Sequence, residues 1–217
     1  MFVTRHHGVG DAALSARLWA LYEVAYGPAA AVSPSHEMLF PDEFDHAISD
    51  PTNRLWVLWD DSAPVAMALV ATRIGSTRYL SESFFEHRYP EHQRHGKVHY
   101  IMWLVVHPAA AASGAIVRLA REVLQREAED GALLVFDAPQ AHQPGPEGGF
   151  AEMMGRLTRA FLGGAPVEHI GTQYYFAVDL GQTAAAAQAG TPAEAADSAV
   201  PAVPASPAAR DEVSTRT

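Results

Sequence analysis

The stretch from Val98 to Ala120 constrains the fold more than any other part of the chain. Val98-His-Tyr-Ile-Met-Trp-Leu-Val-Val-His107 carries β-branched, aromatic and aliphatic side chains with almost no charge, the pattern of a strand buried on both faces in the middle of a sheet. Pro108 ends it, and Ala109 to Ala112, Ser113 and Gly114 follow without one bulky side chain. Next comes a helical pattern in which Ile116, Val117, Ala120, Val123, Leu124 and Ala128 share one side. Arg118, Glu122, Gln125, Arg126 and Glu129 face out, with Glu122 and Arg126 as an i,i+4 pair. Gly131 stops the helix, and Ala132 to Asp137 reads as a second apolar strand. Strand, crossover helix and strand make a βαβ-type unit. Small residues at the helix start let backbone N–H groups approach an anion, aided by the helix dipole, and a pyrophosphate suits such a loop.

The elements on either side follow from periodicity and punctuation. Leu14, Leu18, Leu21, Tyr22 and Ala25 recur at helical spacing from Asp11 to Tyr26, with Gly27-Pro28 as a stop. A loop with Pro34, His36 and Glu37 leads to a shorter helix around Asp42 to Ser49, halted by Asp50-Pro51. Arg54 to Trp59, the turn Asp60 to Ala63, and Pro64 to Thr72 form an antiparallel hairpin. After the second apolar strand, a Pro- and Gly-rich loop reaches a helix from Phe150 to Phe161, closed by Gly163-Gly164, and Val167 to Leu180 reads as a closing strand. Trp56, Trp59 and Trp103 are expected in the core.

The segment from Arg73 to Lys97 holds Phe84, Phe85, Tyr89 and, with the first strand residues, histidines at 87, 92, 95 and 99. His92 with His95, or His95 with His99, has the spacing of helical metal ligands, but Pro90 and Gly96 break the helix that such spacing needs. No metal is expected, and a polar lid with an aromatic underside is the reading adopted. From Gln182 to Thr217 thirteen of thirty-six residues are alanine, four are proline and none is aromatic, which places a folded domain over 1–181 and a disordered tail over 182–217.

Composition narrows the partners. A formal net charge of −10 lacks the basic surface that a phosphate backbone or an anionic membrane requires, so neither nucleic acid nor membrane is expected as a partner. Without cysteine there is no disulfide, thiolate nucleophile or Cys-ligated zinc. No apolar run resembles a signal peptide or a membrane span, and a cytoplasmic protein is expected. The oligomeric state is not legible.

In this order of elements, over roughly Ala12 to Leu180, the chain resembles the GCN5-related N-acetyltransferase superfamily. In that family the central strand runs into Val-x-Pro and then a loop of the form Gln/Arg-x-x-Gly-x-Gly/Ala. Val106-His107-Pro108 and Gly114 match, while Ala111 and Ile116 stand at the Gln/Arg and final Gly/Ala positions. The resemblance implies an α/β (α+β) fold with a mixed, mostly antiparallel sheet, a splayed central strand and flanking helices. It also implies an N-acyltransferase that moves an acyl group from acetyl-CoA, or another acyl-CoA, to a small-molecule amine. Backbone groups of Leu104, Val105 and Val106 would bond the pantetheine arm, and Ala112, Ser113, Gly114 and Ala115 would cradle the pyrophosphate. Where many relatives carry a glutamate base this chain has Tyr100. A phenol of ordinary pKa is a poor base, so His99 is the better-tuned candidate. Alternation puts His99 and Tyr100 on opposite faces. The usual acid position falls near Phe161, and Tyr174 or Tyr175 would substitute. Two other readings follow from the departures. Ala111, Tyr100 and Phe161 favour a member that keeps the fold and binds without transfer. Phe84-Phe85 with Arg73, Arg78, Arg88, Arg94 and Lys97 favours an acyl donor held on a carrier protein.

Overall fold

In the computed structural model, five strands lie side by side in the order β1-β2-β3-β4-β5. It describes residues 1–30, 38–139, 142–143, 145 and 148–174. The loop with Pro34, His36 and Glu37, the candidate Tyr175 and the expected tail over 182–217 lie outside them.

β1 (Phe2–His6) pairs antiparallel with β2 (Asn53–Asp60), which turns through Asp61, at φ +50°, into β3 (Ala63–Ala71). β3 pairs antiparallel with β4 (Val98–Val106), and β4 pairs in parallel with β5 (Leu133–Val135). β1 went unread in the sequence, although Phe2-Val-Thr-Arg-His6 has the composition of an edge strand. The fold is thus mixed, with three antiparallel pairings and one parallel pairing.

Two helical layers cover the sheet. On one face α1 (Ala12–Ala30) and α2 (Pro41–Ser49) bury Leu18, Leu21, Tyr22, Phe44 and Ile48 against Leu55, Val57, Met67, Leu69, Trp103 and Val105. On the other, α5 (Ala115–Glu129) and α6 (Gly149–Leu162) bury Leu119, Val123, Leu124, Met154 and Leu157 against Trp56, Leu58, Ala68, Val70 and Ile101. Each such aliphatic side chain contributes about 1.5–3 kcal/mol. The segment between β3 and β4 forms two short helices, α3 (Glu82–Arg88) and α4 (Pro90–Arg94). Phe85 packs there with Ile74, Val98, Tyr100 and Val135, the expected aromatic underside. Met1–Thr172 form one compact unit.

Four expectations need correction. α1 runs through Gly27-Pro28 to Ala30, so the proline stands within the last turn, where few ladder bonds remain to be lost beyond it. Val117 and Ala128 of the expected apolar side are exposed, and Glu127 takes a buried place on α5 that an apolar stripe would not predict. Arg126 turns to Glu129 and Asp130, not to Glu122. The closing strand expected over 167–180 is not formed over 167–174, where the polar residue Glu168 instead bonds Arg88 and the Tyr89 hydroxyl.

Candidate functional site

The central strand is a fork. Its ladder to β5 covers only Val98, His99 and Tyr100, opposite Leu133, Leu134 and Val135, while its ladder to β3 continues to Val106. From Ile101 onward the β5 side of the strand has no ladder among the described residues. The main-chain groups that face this opening are set by alternation. His107 donates its N–H to the Val65 carbonyl at 2.8 Å, so Val105, two residues back, also turns its backbone to β3, opposite Met67. Leu104 and Val106 turn theirs away, into the fork. Of the three residues expected along a pantetheine arm, two therefore present free backbone groups to the opening, and Val105 does not.

A bulge lies at the base of the fork. Leu69 opposes Trp103 and Val70 opposes Ile101, leaving Met102 as an extra residue. The parity of the strand changes there. Ile101 faces α5, whereas Trp103, two residues on, faces α1. Without the bulge they would share a face.

Beyond β4 the chain enters a 3₁₀ turn, Pro108–Ser113, and Gly114 at φ +73° redirects it into α5. That conformation suits glycine, and nothing lies within 4 Å of where its Cβ would be. Ala112 and Ser113 are exposed, Gly114 is half-buried and Ala115 is buried. Ser113 donates its hydroxyl to the Ala110 carbonyl at 2.7 Å, so it shapes the loop and its proton is not free for a phosphate. The first N–H groups of α5 have no intrahelical acceptor, as in any helix.

The catalytic candidates separate. His99 is 2% exposed and gives its Nδ1–H to Glu127 on α5. Its ring lies on the α5 side of the sheet. Tyr100 is on the opposite face, 3% exposed, and donates its hydroxyl to Asp137 Oδ1 at 2.8 Å. Burial, and then the negative charge of Asp137, push the Tyr100 phenol well above its ordinary value, so it stays protonated. Tyr174 is 71% exposed, outside the Met1–Thr172 unit. Phe161 packs against the α5–α6 core under the Arg121 guanidinium, 5.1 Å from its ring centroid.

Sequence reasoning missed Asp137. It is exposed and lies two residues past the end of β5, where β4 and β5 part, with Tyr100 bonded to its carboxylate. A polar residue at the end of an apolar strand was the available signal.

No family model matches the chain, and no curated protein does. Solved structures similar to it include an aminoglycoside acetyltransferase from an uncultured soil metagenomic sample in complex with sisomicin, at 13% identity over 82% of this chain and 96% of that one, with a TM-score of 0.49. A transcriptional regulator from Bacillus halodurans C-125 is 17% identical over 81% of this chain and 100% of that one, with a TM-score of 0.49. An aminoglycoside N-acetyltransferase in complex with CoA is 10% identical over 81% and 100%, with a TM-score of 0.43. The order of elements that the structure displays, with helices, hairpin, forked central strand, small-residue loop and helix, is the order that the resemblance to the GCN5-related N-acetyltransferase superfamily implies.

Proposed function

We propose that the protein is an acyl-CoA-dependent N-acyltransferase that acts on a small-molecule amine, with acetyl-CoA as the donor. The fork carries this reading. An acyl-pantetheine arm is an extended chain with amide groups, and it can pair with the exposed backbone of Leu104 and Val106 as an added strand would. The same strand leads to Gly114 and the start of α5, where N–H groups and the helix dipole suit a pyrophosphate. Arm and phosphates then lie along one continuous path.

Asp137 takes the role that His99 does not fill. An acceptor ammonium beside this carboxylate is held by charge and gives one proton to it, which frees the nitrogen lone pair for attack. The new C–N bond forms at the thioester carbon, the C–S bond breaks, and the leaving thiolate takes the second nitrogen proton to depart as the thiol of CoA. Tyr100 positions the Asp137 carboxylate through its hydroxyl. The binding-only reading, favoured by Ala111, Tyr100 and Phe161, predicts CoA binding without turnover. The carrier-bound donor loses support because Arg78, Arg88 and Arg94 each close on a carboxylate. A cytoplasmic location remains part of the proposal. Among the described residues no helix is long and apolar enough to cross a membrane.

Titration calorimetry with acetyl-CoA tests the donor site. Gly114→Asp places a carboxylate in the phosphate path at a backbone conformation that aspartate tolerates better than most residues. Micromolar binding that disappears in this variant supports the loop, and equal affinity in both proteins refutes it. Turnover with an amine panel then tests the base: Asp137→Asn should lower kcat about 10²–10⁴-fold while leaving CoA affinity unchanged.

A further inference from the structure

Five basic residues, Arg73, Arg78, Arg88, Arg94 and Lys97, lie between β3 and β4. Arg78 pairs with Glu43 at 3.0 Å, Arg88 with Glu168, and Arg94 with Glu91 through two bonds. Arg73 and Lys97 form no ion pair among the described residues, and both line one cleft of ≈ 750 Å³ at the start of β4. That volume is in the range that holds small ligands. In a chain of net charge −10 these two unpaired cations meet at one concave place.

The floor of the cleft is built from buried polar groups. Arg54, with its side chain 13% exposed, donates to Glu127 Oε1 at 2.8 Å and also pairs with Asp130. His99 holds the other Glu127 oxygen through Nδ1. Its Nε2 has no hydrogen-bond partner among the described residues, and the residue lines the cleft. Burial works against the charge on Asp130, yet the bond from Arg54 and the charges of Arg54, Arg126 and Lys97 hold its carboxyl below the usual range. Both carboxylates behind the lining residues Arg54 and His99 are thus already paired.

A metal cation fits poorly. His99, Glu127 and Asp130 bring ligand-type atoms within 4.8 Å of one another, but Arg54 bonds both carboxylates, and an ion would have to displace that buried guanidinium. One uncompensated acid, Glu82, lines the cleft beside Gly75 and offers a place for a hydroxyl or an ammonium. No Phe, Tyr or Trp lines the cleft, so a nucleobase lacks the stacking platform such a ring would give.

We propose that this cleft binds a small, non-aromatic organic anion that carries phosphate or carboxylate groups. Arg73 and Lys97 hold its charge, and His99 Nε2 is the remaining polar atom of the floor. The site is separate from the acyl-donor path. Seven residues of strand, ~23 Å, divide His99 from Val106. The proposal does not depend on acyl transfer.

Calorimetry and amide NMR on the full chain test it, with pyrophosphate and citrate as the phosphate and carboxylate probes. Submillimolar binding of at least one probe is expected, with shifts at the Gly75 and Gly96 amides. The preferred probe identifies the anionic group. Affinity should fall about tenfold or more in Arg73→Gln/Lys97→Gln, two changes at the protein surface, and should persist in Gly114→Asp. Failure of both probes to bind overturns the site. So does unchanged affinity in the double variant, or loss of binding in Gly114→Asp, which would assign the anion to the helix loop.

Discussion

The two halves of β4 solve opposite problems. Its first three residues form the ladder to β5, and their polar side chains are closed off by partners: His99 by Glu127, Tyr100 by Asp137. Its last six residues carry only apolar side chains; all but Met102 pair with β3, and none has a ladder on the β5 side among the described residues. Where β4 meets β5, side chains supply the polar chemistry. Where the side chains are apolar, the main chain supplies it. The bulge at Met102 stands at the boundary and resets which side chains face which layer.

Breaking the paired half should have the largest effect. Arg54→Ala leaves Glu127, 2% exposed, without its guanidinium, and a buried carboxylate so stranded costs about 3–5 kcal/mol. Urea denaturation should show that loss. Glu127→Gln removes the charge while keeping the amide within reach of Arg54 and His99, so it should cost less than Glu127→Ala. Equal losses for the two would mean that volume, not charge pairing, stabilises this end of the sheet.

The forked half is expected to respond differently to small changes. Gly114→Ala introduces a side chain at φ +73°, and the left-handed conformation costs a non-glycine residue about 1–2 kcal/mol. Open space around the Cβ means that the cost is backbone strain, without a clash, so acetyl-CoA affinity should survive in Ala while it fails in Asp. Val106→Ala is a smaller change still. It removes part of a half-buried side chain, worth about 1 kcal/mol, and leaves the N–H and C=O in the fork untouched. Its acetyl-CoA dissociation constant should stay within about threefold of wild type, since tenfold would need 1.4 kcal/mol. A larger shift would show that the donor is read by side chains.

The sequence made the apolar framework legible because apolar periodicity is a local signal. The β4 strand, the Gly114 turn and the α5 stripe all follow from residues adjacent in the chain. What escaped it depends on pairing across long separations. The fork is defined by where β5 ends relative to β4, thirty-five residues away at Tyr100 and Val135. Asp137 becomes a candidate only once Tyr100 is beside it, and the place of Glu127 is set by Arg54 and His99, which close on it from distant strands. The bulge also has no local signature: Met102 is an ordinary strand residue by composition. Alternation did separate His99 from Tyr100, but it could not say which of the two faces the fork.

The smallest effect expected concerns Asp130, at the edge of the paired half. Its folded-state pKa lies below the ordinary carboxylate value, held there against burial by Arg54, with Arg126 and Lys97 adding charge. A depressed carboxyl pKa means that the unfolded chain binds the proton more readily. The stabilisation is therefore complete above the unfolded value, near 3.9, and is lost as pH falls through the folded value. Stability against urea, followed from pH 6 downward, should decline in the wild type partly through this group. In Asp130→Asn the protein should be less stable at pH 6 and should decline less steeply below about pH 4, so that the two curves converge in acid. Parallel curves would show that Arg54 is held by Glu127 alone and that the salt bridge to Asp130 has little consequence for stability.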